Sequence, residues 1–323
     1  MKVLQLVNAY PTKDNVVKGV FIRDQIELLR ESFPDLDVDV LVVDKEKKGI
    51  ASYASALVYL LRKGGSYDVV HAHHVFCGVV AILGGVRKKL VTSFLSDSYN
   101  EVMLGPVFFR KFVYCVASHF SKCKIFKVYR NEVDGVRSFY LPNPVNTEFF
   151  YSIDRDRARE LLGLEKGSLY ALFVSGQSLL RPEKRYNLFC DIIDLYNKES
   201  SRDIIPIPIA NATREEMFLY YNACNFYLLT SDFEGSPNAV KECLACGTSV
   251  IARDVGSVRQ LLENLEGSSV VGSDVPEDYI DSINKAINIE NPSGCTARLQ
   301  DLSLDPLSSS QKLFNIYKGV VSA

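Results

Sequence analysis

The chain has 323 residues, 47% hydrophobic and 24% charged, with 37 basic against 39 acidic side chains and a formal charge of −2. That length suits two domains, each able to bury a full core, and the composition excludes a disordered chain. No apolar run approaches the ~18–20 residues that span a bilayer. The opening Met1-Lys2-Val3-Leu4-Gln5-Leu6-Val7, followed by Asn8 and Pro11 without a small-residue cleavage site, is expected to be a buried strand rather than a leader.

Short β-branched apolar runs alternate with helical patterns. Strands are expected at Val3–Val7, Val38–Val43, Asp68–Ala72, Leu90–Phe94, Tyr170–Val174, Ile204–Ile209, Phe226–Leu229, Ser249–Ala252 and Ser269–Val271. Several are apolar on both faces, the mark of parallel sheets covered by helices. Helices are expected near 20–32, 51–63, 105–117, 155–162, 184–197, 214–223, 237–246, 256–264, 277–287 and 310–321, with an irregular stretch at 291–309. This alternation predicts a doubly wound α/β architecture. The run Leu141-Pro-Asn-Pro-Val-Asn-Thr147 interrupts it where the charge changes sign: residues 1–150 carry +5 and residues 151–323 carry −7. The expected division is an N-terminal domain 1–146, a C-terminal domain 147–307, and a last amphipathic helix, 308–323, able to pack back on the first.

The eight cysteines are scattered without a disulfide framework, as for reduced thiols in the cytosol. Cys243 and Cys246 lack a second ligand pair at zinc-like spacing, so no metal is expected. Neither Gly-x-Gly-x-x-Gly after a strand nor a P-loop is found. Residues 107–130 carry Arg110, Lys111, Lys122, Lys124, Lys127 and Arg130 with no acidic residue, interleaved with aromatics that include Phe108, Phe109, Phe112, Tyr114, Phe120 and Phe126. Two readings stand for this segment: attraction to an anionic membrane surface, or a solvated basic side over core aromatics. Nucleic acid is not an expected partner, since the half carries only +5 and no recognition motif.

The most informative run is Ser231-Asp-Phe-Glu-Gly-Ser-Pro-Asn-Ala-Val-Lys-Glu-Cys-Leu-Ala-Cys-Gly247. Ser236 is suited to cap a helix, Pro237 to its first position and Gly247 to its C-terminal stop. The amides of Asn238, Ala239 and Val240 then point outward as donors for an anion, with Gly235 in the approach. Glu234 and Glu242 lie one either side of that helix start. The spacing alone serves equally for ligand binding and for carboxylates stabilised at a helix N-terminus. A second cluster, Ser175 to Arg185, follows a strand and places Arg181 and Lys184 at the edge where open α/β sheets bind ligands. Asn211 and Thr213, after another strand, are candidates to border a nucleotide base.

Together these segments resemble the retaining glycosyltransferases of family 4. The run Glu234 to Glu242 resembles their E-x7-E motif, Arg181-Pro-Glu-Lys-Arg185 their diphosphate clamp, and Leu141 to Asn146 their linker. The resemblance is close over about 140–262 and looser before it. Gly19-Val-Phe-Ile-Arg-Asp-Gln25 is similar to the family's first glycine loop and Asp68-Val-Val-His-Ala-His73 to its His-x-His strand. Ser93-Phe-Leu-Ser-Asp97 falls where members carry His-Gly-x-Asp, with Phe94 and Leu95 in place of His-Gly. The resemblance implies two Rossmann-like domains facing across a cleft, the GT-B fold. It implies a nucleotide-diphosphate sugar donor, UDP-sugar favoured over GDP-sugar, and no cofactor. Glu234 would orient the sugar and diphosphate, Glu242 the ribose, and Arg181 and Lys184 the leaving diphosphate. Asp97, His73 and His74 are acceptor-side candidates; His71 and His73, on one face of a strand, serve equally as structural histidines. The expected activity is metal-independent, retaining transfer to a glycan or lipid-linked acceptor in bacterial polysaccharide or glycoconjugate synthesis. The expected location is the cytoplasm, with peripheral attachment to the inner membrane face. A catalytically silent scaffold subunit and a nucleotide-sugar epimerase are the alternatives.

Overall fold

The computed structural model describes residues 1–11, 19–44, 49–95, 105–128, 137–176, 178–290 and 292–322. They fall into two units, Met1–Pro144 with Pro306–Ala323, and Val145–Asp305.

In unit 1 the strands are β1 (Lys2–Val7), β2 (Asp37–Val42), β3 (Val69–Ala72), β4 (Leu90–Phe94), β5 (Cys123–Phe126) and β6 (Ser138–Tyr140). They form one parallel sheet in the order β2-β1-β3-β4-β5-β6. Its helices are α1 (Val20–Ser32), α2 (Ala51–Lys63), α3 (Val75–Leu83), α4 (Val107–Phe120) and the C-terminal helix Pro306–Val321. Side chains alternate across each strand, so the sheet has two apolar faces. Val3, Val69, Val91 and Ile125 pack under α1 and the C-terminal helix, against Ile22, Ile26, Leu313 and Tyr317. Leu4, Leu6, Val70 and Leu90 face α2 and α3, against Leu60 and Cys77. Phe94 and Phe126 face α3 and α4, against Val75 and Val113.

Unit 2 has α5 (Arg155–Leu162), β7 (Leu169–Val174), α6 (Tyr186–Glu199), β8 (Ile204–Ile209), α7 (Arg214–Ala223) and β9 (Phe226–Leu229). These are followed by α8 (Asn238–Ala245), β10 (Ser249–Arg253), α9 (Val258–Leu262), β11 (Ser269–Val271), α10 (Ile280–Ile287) and α11 (Cys295–Asp301). The strands form a parallel sheet in the order β11-β10-β9-β7-β8. Tyr170, Leu172, Tyr227, Leu229 and Val250 bury against α7, α8 and α9. Ala171, Phe173, Phe226, Leu228 and Ile251 bury on the other face against α6 and α10. Both units are therefore doubly wound.

Four elements depart from the sequence expectation. β5 and β6 are only four and three residues long, too short for a period of two to show. α3 is apolar nearly all round, Val75-Phe-Cys-Gly-Val-Val-Ala-Ile-Leu83, so it carries no polar stripe to betray a helix. α11 arises inside the stretch 291–309 read as irregular, where Leu299 and Cys295 reach the core.

Candidate functional site

Strand order in unit 2 reverses between β7 and β9, which lie side by side. Loops leaving the carboxyl ends of two such strands diverge to opposite faces and leave a crevice, the usual ligand position in open α/β sheets. The loop after β7 carries Arg181 and Lys184; the loop after β9 carries Glu234 and leads into α8.

Backbone bonds knit the two loops together. The Asp232 N–H donates to the Glu183 carbonyl at 2.8 Å, and the Thr230 hydroxyl donates to the Lys184 carbonyl at 2.9 Å. Lys184 Nζ donates to Glu234 Oε1 at 2.5 Å, and the Ser231 hydroxyl donates to the same oxygen at 2.8 Å. Both charged side chains are only 16% exposed, so the pair is worth more than a surface ion pair and its ammonium is held in one place. Arg181 instead pairs with Glu183 at 2.6 Å within its own loop, and its guanidinium also reaches the Ser175 carbonyl at 3.4 Å.

A further ion network braces these loops. Arg185, in the left-handed region at φ 51°, pairs with Asp274 at 2.5 Å and Asp232 at 3.4 Å. Arg253 pairs with Asp232 at 2.8 Å and with Asp274, and donates to the Ser231 carbonyl at 3.0 Å. Sequence reasoning missed Ser231, Asp232, Arg253 and Asp274. Arg253, at the end of β10 just before the turn Asp254-Val-Gly256, is the one a local signal could have flagged. Gly256 is required sterically: φ is +56°, and a Cβ there would lie 2.3 Å from the Gly235 carbonyl oxygen. The Ser257 N–H donates to that same carbonyl at 3.0 Å.

α8 begins one residue later than expected. Pro237 occupies the N-cap position, and no side chain caps the helix. Ser236 therefore does not cap: a proline in the extended region carries the chain into the turn, and the Ser236 hydroxyl has no protein partner among the described residues. Asn238 Oδ1 and the Ser257 hydroxyl are likewise buried without a partner there. The first main-chain bond of the helix is Lys241 N–H to the Pro237 carbonyl, at 3.4 Å. The amides of Asn238, Ala239 and Val240 thus precede it, at the positive end of the helix dipole. Orphaned amides, two buried hydroxyls and a carboxamide oxygen gather at the N-terminus of α8 without protein partners among the described residues, an arrangement that suits a polar, anionic ligand. Glu242 accepts from the Tyr221 hydroxyl at 2.9 Å; burial beside that carboxylate pushes the phenol's pKa up and keeps it a donor. Lys241 is fully buried, and desolvation brings its ammonium down to about 7. Cys243 and Cys246 lie in the core cluster beneath α8.

Asn211 sits in the left-handed region at φ 57°, and its N–H donates to the Gly176 carbonyl at 2.5 Å, bringing the loop after β8 to the loop after β7. Thr213 caps α7: its hydroxyl accepts from the Glu216 N–H at 3.2 Å while Glu216 accepts from the Thr213 N–H at 2.7 Å.

Three candidates of unit 1 carry packing roles. Gly19 has φ +71°, and a Cβ there would lie 2.4 Å from Ala9 main-chain atoms, so the close approach of two backbones demands glycine. His73 is buried and bonds through Nε2 to Gln5 Oε1 at 2.7 Å; Gln5 Nε2 donates to the Tyr317 hydroxyl at 3.0 Å. Tyr317 meets His71 Nδ1 at 2.7 Å, and His71 Nε2 meets the Ser93 hydroxyl at 2.8 Å. One chain of donors satisfies every member when both imidazoles are neutral. Burial enforces that state, bringing His73 down to about 3 and His71 well below its usual value. His74 caps α3, its Nδ1 accepting from the Phe76 N–H at 3.2 Å. Asp97 lies outside the described residues.

Residues 206–288 match the family model described as "Glycosyl transferases group 1". No curated protein matches the sequence. Among solved structures, the sucrose-phosphate synthase of Thermosynechococcus elongatus is similar at a TM-score of 0.73 and 14% identity, covering 100% of this chain and 99% of that one. HepE of Anabaena, solved with UDP and glucose, is similar at 0.70 and 16%, covering 99% and 100%. A glycosyltransferase of Rickettsia africae is similar at 0.72 and 14%, covering 99% and 98%. The fold of this chain is that of these GT-B-like structures: two parallel-sheet, Rossmann-like α/β domains.

Proposed function

We propose that the chain is a glycosyltransferase of the GT-B type that transfers a sugar from a nucleotide-diphosphate donor. The observation that carries this reading is the Lys184–Glu234 pair, 2.5 Å long, set beside the orphaned amides of α8, with Glu234 and α8 inside the segment 206–288 that matches a glycosyltransferase family model. As the glycosidic C–O bond to phosphate breaks, negative charge grows on the diphosphate. Preorganised donors aimed at that charge are usually the largest catalytic term. Lys184 is already held by Glu234. Arg181 exchanges Glu183 for a phosphate oxygen, and the amides of 238–240 with the Ser236 hydroxyl receive the rest. Each charge-assisted bond contributes about 1.5–3 kcal/mol. No metal is needed for this set.

Glu234 orients the donor sugar and diphosphate, and Glu242, fixed by Tyr221, accepts from the ribose hydroxyls. Asn211 borders the base. UDP is favoured over GDP because the similar Anabaena protein is solved with UDP and glucose. Transfer is retaining, by attack on the face the phosphate leaves: the acceptor oxygen bonds the anomeric carbon while its proton passes to the departing phosphate. The acceptor is a glycan or lipid-linked sugar of bacterial polysaccharide or glycoconjugate synthesis, and the enzyme works in the cytoplasm. Asp97 is the acceptor-side candidate that stands, since His73 is held in the buried hydrogen-bond chain and His74 caps α3.

Thermal shift with UDP-glucose, UDP-N-acetylglucosamine and GDP-mannose tests the donor class; a ligand at 100 times its dissociation constant adds about 2.7 kcal/mol of stability. Glu234→Gln and Lys184→Ala are each expected to lower donor hydrolysis or transfer at least about tenfold with the fold intact. Near-normal rates in both overturn the assignment. Donor binding with neither hydrolysis nor transfer would point to a silent scaffold, and conversion of the bound sugar to its epimer to an epimerase.

A further inference from the structure

We propose that the outer layer of unit 1 formed by α2, α3 and α4 is a docking surface for an anionic lipid bilayer. The inference stands on this layer alone and is independent of the donor site.

The three helices lie on one face of the sheet, with Leu60, Cys77 and Val113 turned into the core. Their outer sides are not polar. Phe108 is 74% exposed and Phe112, one turn on, 64%; Leu61 of α2 and Leu83 of α3 are each 64% exposed. Phe108, Phe112, Cys115 and His119 follow at spacings of four, three and four, a single exposed stripe along α4. The rings of Tyr53, Phe76 and Phe109 stand 6.0 and 6.5 Å apart in sequence, carrying the apolar surface from α2 across α3 to α4. On the opposite face of the sheet, α1 exposes no large hydrophobic side chain.

Charge divides the same way. α2, α3 and α4 carry Arg62, Lys63, Arg110 and Lys111 and no Asp or Glu. α1, in contrast, mixes Arg23, Asp24, Glu27, Arg30 and Glu31. A basic layer with protruding phenylalanines matches an anionic interface, where rings sink among the acyl chains and lysines stay at the headgroups. A second copy of this chain would bring two basic layers together. Nucleic acid would gain nothing from the aliphatic Leu61 and Leu83. No helix among the described residues is long and apolar enough to cross a membrane, so the attachment is peripheral.

The test is co-sedimentation of the full chain with phosphatidylcholine vesicles with or without phosphatidylglycerol. Binding is expected only with phosphatidylglycerol and is expected to fall as salt rises. Lys111→Gln and Arg62→Gln should each lower the partition coefficient about fivefold, the value of one basic residue at such a surface. Phe108→Ser with Phe112→Ser should abolish binding while circular dichroism and the melting shift with UDP-glucose persist. No binding to phosphatidylglycerol vesicles, equal binding to phosphatidylcholine alone, or unchanged binding of the serine variant overturns the proposal. So does a concentration-dependent dimer that the serine variant disperses, which would make the layer a self-interface. Loss of the UDP-glucose shift with vesicle binding intact would sink the donor reading alone.

Discussion

Two buried imidazoles lie at the centre of unit 1, and their protonation is linked to its stability. His71 and His73 stack with centroids 4.1 Å apart and are neutral because burial and the nearby Lys127 disfavour charge. The unfolded chain binds their protons below about 6.5, whereas folded His73 refuses its own until about 3. Stability is therefore complete above 6.5 and falls as pH drops between those values, by up to about 1.4 kcal/mol per pH unit for each histidine. Urea denaturation between pH 8 and 4 should show this slope, and His73→Gln should flatten it. A slope unaltered by that substitution would show that the imidazole is not the titrating group. At the same scale, a histidine committed to a neutral hydrogen-bond chain is better placed to hold the C-terminal helix, through Tyr317, than to handle an acceptor's proton.

At the scale of elements, the candidate donor site depends on two loops being held edge to edge, and the brace is the Arg185–Asp232–Arg253–Asp274 network. Exposed ion pairs singly contribute about 0–1 kcal/mol, but here one arginine bonds two aspartates and the main-chain carbonyl of Ser231, whose hydroxyl donates to Glu234. Arg253 is a positioning residue in this arrangement. Arg253→Ala is expected to lower kcat about tenfold at a melting temperature near wild type, with KM for the donor changed less, because donors misplaced by an ångström lose the transition state first. Arg253→Lys should recover part of the rate. A fall in rate that merely tracks the loss of folded protein would remove Arg253 from this role.

At the scale of the whole molecule, unit 1 is built from both ends of the chain. The C-terminal helix contributes Leu313, Ile316, Tyr317 and Val320 to the cluster with Val3, Ile22 and Val69, and Tyr317 alone bonds both Gln5 and His71. Tyr317→Ala leaves a cavity and strands two polar groups, at a cost of about 3–5 kcal/mol. Hydrogen exchange should show unit 1 losing protection while unit 2, which closes on itself between Val145 and Asp305, keeps it. Equal loss in both units would contradict this division of the core.

The sequence by itself determined the fold class and singled out the residues of the candidate donor site. Parallel strands buried on both faces read as plain apolar runs, and Glu234, Glu242, Arg181 and Lys184 lie in two short runs whose spacing is local. What it could not supply were pairings that depend on distance in the chain. Arg253 meets Asp274 because β10 ends beside the loop after β11, and His71 meets Tyr317 across 246 positions. Neither leaves a periodic trace. Short elements such as β6, and an all-apolar helix such as α3, owe their form to the sheet and layer around them rather than to their own pattern. The tertiary structure also decided which signals were structural. Ser236 is not a cap because Pro237 takes that place. Thr213 and His74 are caps, and Gly19 is a close contact of two backbones. A residue's type limits its chemistry, but only its neighbours in space decide which part of that chemistry is used.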